Sequence, residues 1–376
     1  MARSAAYDDI LMLDAVNEPD LAVGTSARPF KITATHRLAD IESVWRALTE
    51  KSIESPGQSI DFIRLWIRAL GIAERDQFYV VAHLDDTPIA LVPLQRRWDK
   101  GARVLSWFPG PHVGCNAPVV DGIDLFAEMG QIQESEILYR AAFSSFEEAD
   151  KTQRNKSRRK HDRQQGDKLA AKGEVTFGEV HNGPEALAIL ETMFQQRAAR
   201  FREMGVFDPF AIPKIREFYD STARAGSAVP VKLHVMRLNG DIVAVRYNIV
   251  HGDRLFCLIS SMSDDPSIQN GSPGKQCLLR VMQTVFDEGY RVFDMGEGLT
   301  DEKRHWCNQQ IAVRHHYMPI TRRGSIAAQV HQGWHRMRTR IKNDEKMFAW
   351  AKGFRGTMLR ITGRADEETK PSHHED

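Results

Sequence analysis

The hydrophobic and polar pattern is most legible between Val231 and Trp306, as three strands, a glycine-rich turn, an amphipathic helix and a fourth strand. Three runs there, Lys232–Leu238, Ile242–Val250 and Leu255–Ser260, are rich in Val, Ile, Leu, Phe and Tyr and read as strands. Asn239-Gly240-Asp241 joins the first two, with Gly240 supplying the positive φ of a tight hairpin. His251-Gly252-Asp253 joins the second and third. The period then changes. After Asn270-Gly271-Ser272-Pro273-Gly274-Lys275, the residues Leu278, Leu279, Val281, Met282, Val285 and Phe286 share one broad helical face. Gly289 is expected to close that helix. Tyr290–Met295 reads as the next strand, running out into Gly296-Glu297-Gly298.

Upstream, Phe30–Thr35 reads as a strand, and Leu38–Glu50 and Ser59–Leu70 carry helical spacing. Phe78–Leu84, Pro88–Gln95 and Ala102–Phe108 then form a strand meander turned at Asp85-Asp86. This meander echoes the one at Lys232–Ser260 at a distance of about 150 residues, which points to duplicated domains rather than a solenoid. A helix pair precedes each copy; in the second half it is Glu185–Met204 and Pro213–Ala225. The elements sum to an α+β fold. Ile311–Ile320 is expected to be a last strand, and Gly324–Arg360 a long basic helical stretch. Residues 1–28 read as a flexible tail, and residues 365–376 as disordered.

Composition narrows the class. The chain has 376 residues, 42% hydrophobic and 27% charged, as expected of a globular protein with room for two domains. It holds no apolar run long enough for a transmembrane helix. Acidic residues stand near the N-terminus where a signal peptide has its apolar centre, so cytoplasmic residence is the expectation. The four cysteines form no CxxC pair, which argues for reduced thiols and against a zinc site. Net charge is +1 and names no partner.

Three stretches carry candidate chemistry. A glycine-rich turn opening a helix leaves backbone N–H groups free and adds the positive end of the helix dipole, a geometry that suits a phosphate. Asn270, Gly271, Ser272, Gly274 and Lys275 are the candidates; a plain capped turn explains the same residues. The lysine- and arginine-rich run 150–172 reads as a solvated linker helix or as a basic face beside a polyanion. The basic stretch 324–364 reads as helices packed on the protein itself or in peripheral contact with a membrane.

Taken together, several segments resemble the FemAB-like branch of the GNAT acyltransferases, and within it the CelD/BcsL type linked to cellulose biosynthesis. They are Ser55-Pro56 with Gln58, Ser59 and Trp66; Pro88–Leu94; Ser157-Arg158-Arg159-Lys160; Gly173–Phe177; Leu238–Ala244; Ser272-Pro273-Gly274; and Phe293–Gly298 followed by Lys303 and Trp306. The match spans about 290 residues. It departs from the pattern at Glu302, where that group usually has Tyr, and only about 37 residues separate Val120 from Arg158. The resemblance implies tandem GNAT-like domains, each a mixed, largely antiparallel sheet flanked by helices, with the first copy (29–149) incomplete. A basic linker helix (150–172) leads to the C-terminal copy (173–323), which would hold the acyl-CoA site.

The same resemblance implies acetyl-CoA or another acyl-CoA as co-substrate, no metal, and a small-molecule or glycan-precursor acceptor from the cell envelope or polysaccharide synthesis. Nucleic acid enters only as tRNA, under an alternative aminoacyl-tRNA-dependent reaction; a degenerate, non-catalytic scaffold is the other alternative. The pyrophosphate would meet Asn270–Lys275. Asp294 and Glu297 are candidates for proton transfer, since an attacking amine must lose a proton. Lys303 would stabilise negative charge on substrate or leaving group.

Overall fold

The computed structural model describes residues 30–343, apart from 100, 121–134 and 315. The N-terminal tail, the C-terminal tail and the part of the last helical stretch beyond 343 lie outside the described residues.

The first sheet grows from local signals. β1 (Phe30–Thr35) is followed by a short 3-10 turn running into α1 (Glu42–Thr49), then α2 (Ile60–Leu70). Ser59 caps α2 by accepting from the Phe62 N–H, and Gly71, at φ 68°, ends it in the left-handed region. β2 (Gln77–Leu84), β3 (Thr87–Asp99), β4 (Ala102–Trp107) and the two-residue β5 (Val119–Val120) complete an antiparallel sheet of order β1-β2-β3-β4, with β5 on β3. The β2–β3 turn places both Asp85 and Asp86 at positive φ, matching the twist of a two-residue hairpin.

The rest of the described chain builds a second sheet and its helices. Its elements are β6 (Ser135–Ala142), α3 (Phe146–Gln153), α4 (Lys156–Ala170), β7 (Val175–His181), α5 (Pro184–Met204), α6 (Pro213–Ala223), β8 (Val231–Leu238), β9 (Asp241–His251), β10 (Arg254–Met262), α7 (Pro273–Val285), β11 (Val292–Glu297), α8 (Asp301–Trp306), β12 (Gln309–Arg314) and α9 (Arg322–Asn343). The seven strands are ordered β12-β6-β11-β10-β9-β8-β7. Every pairing among them is antiparallel except β10 with β11, which α7 connects as a crossover. The fold is α+β, with two largely antiparallel sheets flanked by helices.

Each face of the second sheet is covered. On one face α5, α6 and the helices of the first unit share a core with Val231, Leu233, Val245 and Tyr247. Phe62 and Trp66 of α2 both meet Phe218 of α6 edge-on at 4.9 Å. On the other face Leu278, Val281, Met282 and Val285 of α7 pack on Leu255, Phe293, Met236 and Tyr139.

Three sequence expectations change here. Ser135–Ala142, assigned to the first unit, lies between β11 and β12 in the second sheet, so the two sheets do not divide at residue 149. The run 150–172 is not a solvated linker. Arg154 and Asp162 are buried and bonded at 2.7 Å, and Leu169 is buried against the turn before α7. Ion pairing is what lets so charged a helix bury a face. The last strand ends at Arg314, short of Ile320.

Candidate functional site

β10 and β11 pair through only three residues, Arg254 to Phe256 opposite Val292 to Asp294. Both strands continue, to Met262 and Glu297, so beyond that point they part. A register shift between Cys257 and Ile259 on the β9 side falls at the same place and adds twist to β10. The backbone edge of β10 beyond Phe256 therefore loses β11 as a partner.

A cleft of about 580 Å³ opens beside this part of β10. Gln196, Arg197 and Arg200 of α5 form one wall, Arg246 of β9 and Ser260 to Ser263 the floor, and Gly274, Cys277 and Glu302 the far end. Gly274 stands at the second position of α7. No side chain caps that helix: Ser272, at φ 47°, turns its hydroxyl towards Gln165, which donates to it at 2.7 Å. Pro273 has no N–H to offer, so the first-turn amides present the positive end of α7 to the cleft.

Gly271, Ser272 and Lys275 of the predicted anion turn are engaged elsewhere. Gly271 is glycine because of packing: a Cβ there would stand 2.8 Å from the Leu169 Cβ. Lys275 pairs with Asp301 at 3.1 Å, and Arg158 reaches the same carboxylate at 3.4 Å. Of Asn270, Gly271, Ser272, Gly274 and Lys275, Gly274 is the one that lines the cleft.

None of the three residues of the predicted reaction edge lines the cleft. Asp294 is 5% exposed. One of its oxygens accepts from Arg140 Nε at 2.8 Å, the other from the Gly296 N–H at 2.8 Å. Burial raises its pKa and outweighs the opposing pull of Arg140. Arg140 in turn donates to Glu54 of the first unit at 2.5 Å, and Arg254 pairs with the same carboxylate at 2.8 Å. Lys303 is buried under Tyr139 and donates to the carbonyls of Gly296 and Glu297; burial lowers its pKa. Glu297 is exposed at the end of β11. Asp294, Glu297 and Lys303 thus gather at one strand exit, where Gly114 of the first unit comes within backbone contact of Gly296.

Glu302, the residue that departs from the expected pattern, lines the cleft and bonds Arg246 at 2.9 Å. Arg246 is buried and also donates to the Gly274 carbonyl at 3.3 Å. Burial opposes its charge, but Glu302 and the nearby thiols overcome this and raise its pKa. Sequence reading missed Arg246, although one cue was present: a charged residue in the middle of the apolar run Ile242–Val250. Gln196, Arg197 and Ser260 to Ser263 gave no such cue.

Among the described residues, no group of three or more His, Cys, Asp or Glu side chains is arranged to hold a metal. Cys115, Cys277 and Cys307 are buried, and Cys257 is half-buried; all four are unbridged. Burial pushes the thiols of Cys115, Cys277 and Cys307 up to about 12, which makes them poor nucleophiles.

Residues 156–304, which run from α4 through α8 and include the cleft, match the sequence model of the acetyltransferase (GNAT) domain. That stretch is similar in sequence to a GNAT acetyltransferase domain. No curated protein matches it. Among solved structures, FemX is 8% identical, with 74% of this chain and 94% of that chain covered and a TM-score of 0.47. A conserved protein of unknown function from Bacteroides thetaiotaomicron is 13% identical, with 76% and 97% covered and a TM-score of 0.46. N-myristoyltransferase of Saccharomyces cerevisiae with bound myristoyl-CoA is 11% identical, with 78% and 81% covered and a TM-score of 0.40. At such identities and TM-scores, none of the three decides the function of this chain.

Proposed function

We propose that this protein transfers an acyl group from an acyl-CoA thioester to an amine or hydroxyl acceptor. The observation that carries the reading is the uncapped N-terminus of α7 opening onto a cleft where β10 and β11 part, inside the matched GNAT domain. The pyrophosphate would rest on the first-turn amides at Gly274, which supply both donors and dipole. The pantetheine would run along the open edge of β10, whose backbone N–H groups meet the thioester carbonyl. The acceptor nitrogen or oxygen attacks the carbonyl carbon, and the oxygen takes up negative charge against those amides. The carbon–sulfur bond then breaks, and the CoA thiolate leaves and takes up a proton.

In this scheme three carboxylates line the cleft, Glu203, Asp264 and Glu302, and we give the proton-accepting role to Glu302, which Arg246 holds in place. Asp294 acts as a positioning residue through Arg140 and Gly296. Lys303 fixes the carbonyls at the β11 exit, and Glu297 offers charge at its mouth. The CelD/BcsL resemblance supports acetyl-CoA as donor and a cell-envelope or polysaccharide precursor as acceptor. For the aminoacyl-tRNA alternative, Arg154, Arg158 and Arg159 of the basic run are already paired with Asp150, Asp162 and Asp301.

Calorimetry with acetyl-CoA and longer acyl-CoAs, followed by thiol release over a panel of amines and sugars, tests the reading. Saturable binding in competition with free CoA, and release dependent on an acceptor, is the expected result. A chain that binds no CoA is not this enzyme.

A further inference from the structure

α9 carries Arg322, Arg323, Arg336, Arg338, Arg340 and Lys342 and neither Asp nor Glu, while the whole chain is nearly neutral. Four of its apolar side chains are largely exposed. Ile326 is 64% exposed, Val330 57%, Trp334 55% and Met337 44%. At 100° per residue these positions fall within a sector of about 80°, one continuous stripe along the helix. By the same count Arg322 falls about 40° outside the stripe and Arg323 falls within it.

The opposite side of the helix is anchored. Gln332 is buried, His331 accepts from or donates to the Tyr317 hydroxyl at 2.6 Å, and its other ring nitrogen lies 4.0 Å from Asp99 of β3. On the β3–β4 pair beside it, Trp98 is 67% exposed and Leu105 48%. Trp98 opposes Arg103 and Leu105 opposes Arg96, so both aromatic and aliphatic side chains stand on one sheet face with two more arginines.

We infer that this face is a docking surface for an anionic lipid membrane, with the stripe of α9 lying in the interface and its arginines among the headgroups. The charge selects the occupant. A second copy would set six cationic positions against six, and an acid-free face repels rather than recruits its like. An anionic bilayer satisfies both halves of the pattern, because it takes the apolar stripe into its boundary and pairs the basic rim. Among the described residues no helix is long and apolar enough to cross a membrane, so the contact is peripheral. This inference does not depend on the acyl-transfer reading.

The test is co-sedimentation of the full chain with vesicles of phosphatidylcholine alone, and of phosphatidylcholine mixed equally with phosphatidylglycerol. Partition onto the mixed vesicles at low salt, weakening as salt rises, is expected. Ile326→Ser with Val330→Ser should lower the partition about tenfold or more, since two apolar side chains leave the interface. Arg322→Gln with Arg323→Gln should lower it about tenfold. All four positions are exposed, so an unchanged unfolding transition confirms that the fold survives. The inference is overturned by absence of partition at low salt or by partition indifferent to the apolar pair. Self-association abolished by that pair, or binding of RNA with none to vesicles, overturns it equally.

Discussion

The meander Gln77–Trp107 and the meander Val231–Met262 take the same course: strand, two-residue turn at positive φ, strand, short turn, strand. They diverge after the third strand. Beyond β4 the chain makes a short 3-10 turn and adds β5 back onto β3, filling that edge. Beyond β10 it enters α7 and returns as β11, parallel to β10 and joined to it by three residues before the two strands part. A meander by itself satisfies its own backbone and leaves no opening. The crossover creates one, and it places a helix N-terminus beside the opening in the same step. The first unit serves the second: Glu54 holds Arg140 and Arg254, and Gly114 closes on Gly296.

The largest expected effect comes from breaking that service at Arg140. Arg140→Met leaves the Asp294 carboxylate buried without its cation, which should cost about 3–5 kcal/mol in urea unfolding. The sign with pH is fixed. Burial raises the folded pKa of Asp294, so stability from that group is full at low pH and is lost as pH rises through the folded value. Removing Arg140 strengthens this, so the deficit should be greatest at neutral pH and shrink in acid. A deficit independent of pH would mean that Asp294 is not the group left stranded.

Next comes the feature that only the second meander acquires. Gly274→Asp places a carboxylate at the second position of α7, where the dipole welcomes it but a bound pyrophosphate would not. Calorimetry should show acyl-CoA affinity falling about tenfold, about 1.4 kcal/mol, with thermal stability little changed, since the added Cβ meets only the flexible Met262 side chain at 3.1 Å. Unchanged affinity would remove the anion site from this helix. Glu54→Gln weakens the link between the units without stranding a buried carboxylate. Because the Glu54 side chain is half exposed, about 1 kcal/mol is expected, read as a small fall in the unfolding midpoint.

The smallest effects compare the two hairpin turns. Asp86→Gly changes an exposed turn residue at φ 61° and should move stability by less than about 0.5 kcal/mol. Asn239 has a similar φ, but its side chain accepts from the Glu174 N–H at 2.9 Å and donates to the Lys172 carbonyl at 3.3 Å, tying the end of α4 to the sheet. Asn239→Gly should therefore cost about 1 kcal/mol by the same measurement. Equal effects at the two turns would mean that this tie contributes nothing.

The sequence by itself determined what is local. Runs of strand-forming residues bounded by glycine turns placed β8, β9 and β10 within a residue or two of their observed ends, because strand propensity and turn chemistry are written into neighbouring side chains. The apolar face of α7 was legible for the same reason, as was the turn after Val285 that closes at Gly289, φ 89°, and so was the echo between the two meanders. What the tertiary structure decided is long-range pairing. Nothing in Ser135–Ala142 says that it belongs between β11 and β12, because strand partners are chosen by the ladder that needs them. Arg140 and Asp294 stand 154 residues apart, and Arg246 and Glu302 stand 56 apart. Each is an ordinary charged residue until burial makes its partner obligatory. Even Gly271 and Gly274, close together in one motif, separate into different roles once Leu169 packs on the first and the cleft opens beside the second.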